Sequence, residues 1–181
     1  MEVVEVLLEA GVLVDGVAIT SQNTALMFAS QNSDPAVTKI LLAKGAKPDI
    51  ANGYGNTALH TACTLSHLYV AQELIKDGAS LKLANNKGSS PLHLLCYDST
   101  KSIESEDLCK LLIKSGADIT AKDNLGLTAF LVCCTSGRDD LVKILLREGA
   151  NLKDKDNSGK GAIAIAKFYG HKNIEDLVQR G

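Results

Sequence analysis

The chain has no tryptophan, and aromatic residues fill only 4% of its 181 positions. Any core it builds is therefore aliphatic and rich in alanine. Charge of either sign is not in excess, the formal net being −2. That balance argues against broad electrostatic attraction to nucleic acid or anionic lipid. No apolar run approaches the roughly 18–20 residues of a membrane span. No basic segment followed by an apolar run stands at Met1, so no secretory leader is expected. The five cysteines have no paired spacing. They fit a reducing compartment, cytoplasm or nucleus, better than a disulfide framework. A phosphate-binding glycine loop is missing too, since Gly53-Tyr54-Gly55 is a turn and G-x-G alone carries little information. What is present is 45% hydrophobic residues, enough for a sizeable folded core.

Those residues recur with a period. Thr24-Ala25-Leu26-Met27 is followed by Thr57-Ala58-Leu59-His60, Ser90-Pro91-Leu92-His93, Thr128-Ala129-Phe130-Leu131 and Gly161-Ala162-Ile163-Ala164, at steps of 33, 33, 38 and 33 residues. A second marker is an apolar pair ahead of a glycine. It appears as Leu7-Leu8 before Gly11, Leu41-Leu42 before Gly45, Leu74-Ile75 before Gly78, Leu112-Ile113 before Gly116 and Leu145-Leu146 before Gly149, with Leu177-Val178 before Gly181. Two markers that share one period and one five-residue insertion define a repeat array.

Each unit has readable physics. A Thr or Ser hydroxyl at the opening position can cap free backbone N–H groups. Pro91, next in line, has no N–H to lose and a φ suited to a first turn. The first helix is rich in Ala, Cys and Leu, which allows close approach of neighbours. Gly137 and Gly170 stand where it must stop in the left-handed conformation. The second helix carries apolar residues at helical spacing, such as Val70, Leu74 and Ile75, or Val142, Leu145 and Leu146. A turn such as Asp123-Asn124-Leu125-Gly126 completes the unit. One such unit cannot bury its own apolar faces, but stacking covers them between neighbours. The expected fold class is all-α, a linear solenoid of helix pairs with projecting β-turns.

On the Thr-Pro-Leu-His-type opening and the 33-residue period, the chain resembles the ankyrin repeat family over essentially its whole length. The expected organisation is a single domain, 1–181. It comprises a half repeat at 1–15, repeats at 16–48, 49–81, 82–119 and 120–152, and a C-terminal cap at 153–181. The resemblance implies a non-catalytic protein–protein interaction scaffold that binds on a concave groove of turn tips and first helices. It also implies that His60 and His93 hydrogen-bond near the turn and join adjacent repeats.

Departures from the pattern carry their own expectations. Gln22 stands where later repeats have Gly55, Gly88, Gly126 and Gly159, so the first turn should differ. Met27 replaces the histidine. The five extra residues fall within 97–107, a polar stretch expected to bulge as a loop; it is either neutral or an additional contact. Lys160, Lys167, Lys172, Glu175, Asp176, Gln179 and Arg180 suit a terminal cap. Residues 1–10 read as a second helix without a first, with Val3, Val4, Val6, Leu7 and Leu8 uncovered. The chain is therefore expected to be the C-terminal part of a longer array, or to pack something against that helix. In the former case it would be a regulatory or targeting segment of a larger enzyme, channel or effector.

Candidate chemistry is weak. His60, Cys63 and His67 mimic a zinc cluster, but Cys63, Cys96 and Cys134 share one small-residue slot and His60 and His93 another. That is the pattern of core positions rather than of four converging ligands. Cys109 falls in a core slot, and Cys133 is expected to be the most accessible thiol, without a base to activate it. Asp139, Asp140, Glu104, Glu106 and Asp107 read as inter-helix loop residues that cap second helices. No catalytic residue, cofactor or metal is expected. The partner is expected to be a protein, with no nucleic acid and no membrane insertion, and the chain a monomer. Register places Tyr54, Asn56, Lys87, Leu125 and Leu127 at turn tips, and Leu65, Tyr97, Asp98, Phe168 and Tyr169 on the exposed side of first helices. These ten are the expected partner-binding residues, because apolar and aromatic side chains in surface slots mark interaction sites.

Overall fold

The first helices begin where the openings place a hydroxyl. Thr24, Thr57 and Thr128 each accept a hydrogen bond from the backbone N–H three residues on. In the computed structural model, which describes residues 11, 13–98 and 101–180, ten helices follow in pairs. They are α1 (Ala25–Ala29) and α2 (Ala36–Ala43), α3 (Ala58–Thr64) and α4 (Leu68–Lys76), α5 (Pro91–Tyr97) and α6 (Ile103–Lys114), α7 (Ala129–Ser136) and α8 (Asp139–Arg147), and α9 (Ala162–Tyr169) and α10 (Lys172–Arg180). Successive first helices touch in one layer and successive second helices in another. The core lies between the layers, lined by Leu59, Leu74, Leu92, Leu112, Phe130 and Leu145. The described residues contain no strand, only isolated bridges at the first and last turns, Val17 to Thr24 and Lys155 to Gly161. The half repeat read at 1–10 lies outside the described residues.

First helices end as their residues dictate. Gly137 and Gly170 are left-handed, with φ of 78° and 77°. Ser66 takes the same conformation at φ 57° without being glycine. The 97–107 insertion is less of a loop than its polarity suggests. It lengthens α6 to 12 residues against 9 in α4 and α8, because Ser102 caps the new turn and exchanges hydrogen bonds with Ser105. Glu104 and Glu106 therefore sit in the first turn of α6, and Asp139 and Asp140 in that of α8, rather than in loops. There they still favour the helix dipole.

Two sets of side chains fasten repeat to repeat. His60 Nδ1 accepts from the Thr57 N–H, so Nε2 carries the proton it donates to the Ser89 carbonyl at 3.1 Å. His93 repeats this between Ser90 and the Leu127 carbonyl, at 3.0 Å. On the other side, His67 reaches the Ser30 carbonyl and His171 the Thr135 carbonyl. Arg138 occupies the same slot and does more. Fully buried, it donates to the Asp98 carbonyl and Ser105 Oγ, holding both ends of the insertion, and is neutralised by Asp140 at 2.7 Å.

Turn tips are clamped by asparagine. Asn86 donates its backbone and side-chain N–H groups to the carbonyls of Tyr54 and Gly53. Asn124 does the same to Lys87 and Asn86, and Asn157 to Leu125 and Asn124. A Cβ on Gly88 would lie 2.4 Å from Asn124 Oδ1. Close approach, as well as a φ of 75°, thus requires glycine there. Gln22 reaches a φ of 56° with a full side chain because the next turn has Gly53 in the clamp position. The first turn does differ, closing from the Gln22 N–H to the Ala18 carbonyl, a wider reach than Gly55 to Asn52.

Candidate functional site

The site grows from a change in the inner arm of one turn. Asn52 and Asn85 occupy equivalent turn positions. Each accepts two backbone N–H groups on Oδ1 and donates Nδ2 to the preceding turn, Asn52 to Asn23 at 2.7 Å and Asn85 to Asn56 at 2.9 Å. The next position in the series is Asp123. Its Oδ1 accepts from the Leu125 and Leu127 N–H groups as usual, but a carboxylate has no proton to donate backwards. The residue it would have reached is Ser89, not asparagine. The Tyr97 hydroxyl instead donates to Asp123 Oδ2 at 3.1 Å. Burial beside that carboxylate pushes the Tyr97 phenol up to about 12.

Where this side-chain ladder is interrupted, a cleft of about 770 Å³ opens between the turn tips and first helices. Leu94 and Leu125 form its apolar walls, and Tyr97, Asp98, Asp123 and Lys87 its polar ones. A second cleft, of about 270 Å³, lies one repeat further on, between Leu125, Ile165, Phe168 and Tyr169. Leu125 belongs to both. Phe168 is 72% exposed, packs edge-on against Tyr169 with centroids 5.1 Å apart, and carries the Lys160 ammonium 5.1 Å above its ring.

Of the ten expected partner-binding residues, Lys87, Tyr97, Asp98 and Leu125 converge on the first cleft, and Phe168 and Tyr169 join Leu125 at the second. Tyr54 and Leu65 are exposed but line neither, although Thr64 beside Leu65 does. Asn56 is occupied in the ladder, its Oδ1 accepting from Asn85. Leu127 is not a surface tip: it is 6% exposed. Its N–H and carbonyl are tied to Asp123 and His93, which turns the side chain inward as the floor of the second cleft. Asp98, expected on the exposed side of a first helix, is the residue that caps the end of α5, and it accepts from Ser66 Oγ.

Sequence reasoning missed Leu94 and Asp123. Leu94 shares a slot with Thr61, Val132 and Ile165, and the threonine in that series was the available sign that the slot approaches solvent. The sign for Asp123 was an acid in a series begun by two asparagines. Cys133, expected to be the accessible thiol, is buried, as are the other four. Helix α7 is packed on by α5 and α9 as well as by α8, so its Ala129–Cys134 stretch is enclosed on every side. Burial raises the pKa of the Cys63, Cys109, Cys133 and Cys134 thiols and lowers that of the His60 and His93 rings. Protonated thiols and neutral, doubly bonded imidazoles are structural groups, not nucleophile and base. Among the described residues no cluster of His, Cys, Asp and Glu could hold a metal ion. No helix there is long and apolar enough to cross a membrane.

A family model described as ankyrin repeats (3 copies) matches the chain over residues 26–123 and again over 99–181. None of the curated proteins matches it.

Proposed function

Because the chain belongs to the ankyrin repeat family, whose repeats are protein-interaction modules, we propose that it is a non-catalytic scaffold. In this reading a partner protein lies along the side made of turn tips and first helices. The observation that carries it is the pair of clefts joined through Leu125, with exposed aromatic side chains at both. Aromatic groups fixed at the rim of a preformed recess are the usual anchors of an interface. Tyr54 and Leu65 extend the surface towards the N-terminus, and Lys87 and Asp98 give it polar selectivity. Leu127 and Asn56 contribute by shaping it. The units of the array are 16–48, 49–81, 82–119, 120–152 and 153–181, preceded by a half unit. Five buried free thiols support a cytoplasmic or nuclear setting.

The test is affinity capture with cross-linking, comparing the wild type with Tyr97→Ala/Leu125→Ala. Both side chains are partly exposed, so thermal unfolding should shift little. Cross-links from the partner to 85–89 and 123–127 should disappear in the variant. Undiminished capture by the variant would remove the groove assignment.

A further inference from the structure

The first cleft contains a charge without a counter-charge. Asp123 is 7% exposed, yet it is absent from every ion pair found among the described residues. Its carboxylate has about four acceptor positions, and three are filled, by the Leu125 N–H, the Leu127 N–H and the Tyr97 hydroxyl. All three donors are neutral. The nearby His93 ring feels the carboxylate but is kept neutral by burial, its Nε2 proton already given to the Leu127 carbonyl. Lys87 lines the cleft from the preceding turn without closing on Asp123. A buried charge is ordinarily paired, and the equivalent positions Asn52 and Asn85 show that this turn forms with a neutral amide. The negative charge is therefore not needed to make the turn, and it faces a recess open to solvent.

We infer that the first cleft receives a basic side chain from an extended segment of the partner protein, with its cationic head against Asp123 and its aliphatic stem between Leu94 and Leu125. The inference rests on the scaffold reading above. Asp98, on the same wall, adds a second carboxylate to the recess. Arginine suits it best. A planar guanidinium can donate to more than one acceptor at once and can stack on the Tyr97 ring, which is fixed by its hydroxyl. The volume of about 770 Å³ is in the range that encloses a ligand of several residues' worth of atoms. The second cleft, sharing Leu125, takes an apolar side chain further along the same segment.

The experiment uses a library of fluorescein-labelled hexapeptides varied at every position, bound to the full chain. The wild type should select arginine at one position. Asp123→Asn should keep the turn, since asparagine already occupies that slot twice, and an unchanged unfolding midpoint checks this. It should weaken the arginine peptide by about 30-fold or more, the usual loss when one member of a desolvated charge pair is removed. The same peptide with alanine in place of arginine should bind both proteins alike. Selection of peptides with no basic preference, still weakened by Leu125→Ala, would overturn the inference and leave the groove reading in place. Selected peptides indifferent to Leu125→Ala would overturn both. If no peptide in the library binds, the inference also falls.

Discussion

At the first turn, Ile19, Thr20 and Gln22 stand where the third turn has Asn85, Asn86 and Gly88. The third turn is held from within by the Asn85 carboxamide, grips its predecessor through Asn86, and leaves room at Gly88 for the grip of Asn124. The first turn does none of this. Its own hydrogen bonds are backbone ones apart from a local one to Ser21, its side-chain link to the next turn is the bond Asn23 Oδ1 accepts from Asn52, and its outermost side chain, Ile19, is 98% exposed. The histidine brace is also missing there, Met27 standing in its slot. The two regions share a repeat pattern but differ in what joins each repeat to the next. Cohesion in this molecule is a property of the joints, and it is greater at the third turn than at the first.

The comparison breaks most sharply at Arg138, the strongest joint. Arg138→Ala leaves Asp140 without its cation and takes one donor each from the Asp98 carbonyl and Ser105 Oγ. We expect a loss of about 3–5 kcal/mol, read as a lowered urea midpoint. An effect below about 1 kcal/mol would show that water replaces the guanidinium. Gly88→Ala comes next. It combines a left-handed residue, about 1–2 kcal/mol, with overpacking against Asn124, about 1–3 kcal/mol, and should destabilise by about 2–4 kcal/mol. Gly159→Ala, with nothing within 4 Å of the added Cβ, should show the first contribution alone. The pair Gly88→Ala/Asn124→Gly recreates the Gln22–Gly53 combination and should recover part of the loss. A strictly additive double-mutant cycle would deny the coupling.

Acid separates the same two regions. Burial holds His60 and His93 below the ordinary value of about 6.5. Between the folded and unfolded values the unfolded chain binds more protons, so stability is flat above about pH 6.5 and falls as pH is lowered through it. The loss belongs to the histidine-braced joints. Amide protection factors near Ser89 and Leu127, corrected for the intrinsic exchange rate at each pH, should fall on acidification, whereas the first repeat has Met27 and no histidine in that slot. Equal change at all joints would contradict this. The smallest effect is a gain at the weaker end. The Thr38 hydroxyl is buried without a partner among the described residues, in a slot that holds Ala71, Cys109 and Val142 elsewhere. Thr38→Val keeps the shape, removes the orphan, and should stabilise by about 1 kcal/mol.

The helix pairs were legible because their openings and stops recur at fixed steps, and each recurrence repeats one physical device, a hydroxyl cap or a left-handed glycine. Individual surface positions were less so. Register assigns Leu125 and Leu127 alike to a turn tip, but the hydrogen bonds of Asp123 and His93 turn the second inward. Cys133 adjoins a core slot and looked free, until three neighbouring helices enclosed it. Arg138, a charged residue beside two acids, reads in the sequence as solvated. Only the insertion opposite it gives the guanidinium something to hold. In each case the deciding atoms belong to the adjoining repeat, which a reading of one unit at a time does not contain.

The Gly88–Asn124 contact bears on how such a chain could be lengthened or shortened. Its two residues lie in different repeats, yet neither substitution is neutral without regard to the other. A duplication or deletion whose endpoints fall between turn and clamp would pair a bulky tip with an asparagine, or a glycine with nothing. One whose endpoints keep each tip with its own clamp would pass unnoticed. The heritable module is thus offset from the structural one. Gln22 with Gly53 is a matched pair of the opposite kind, the bulk on the tip and the glycine on the clamp.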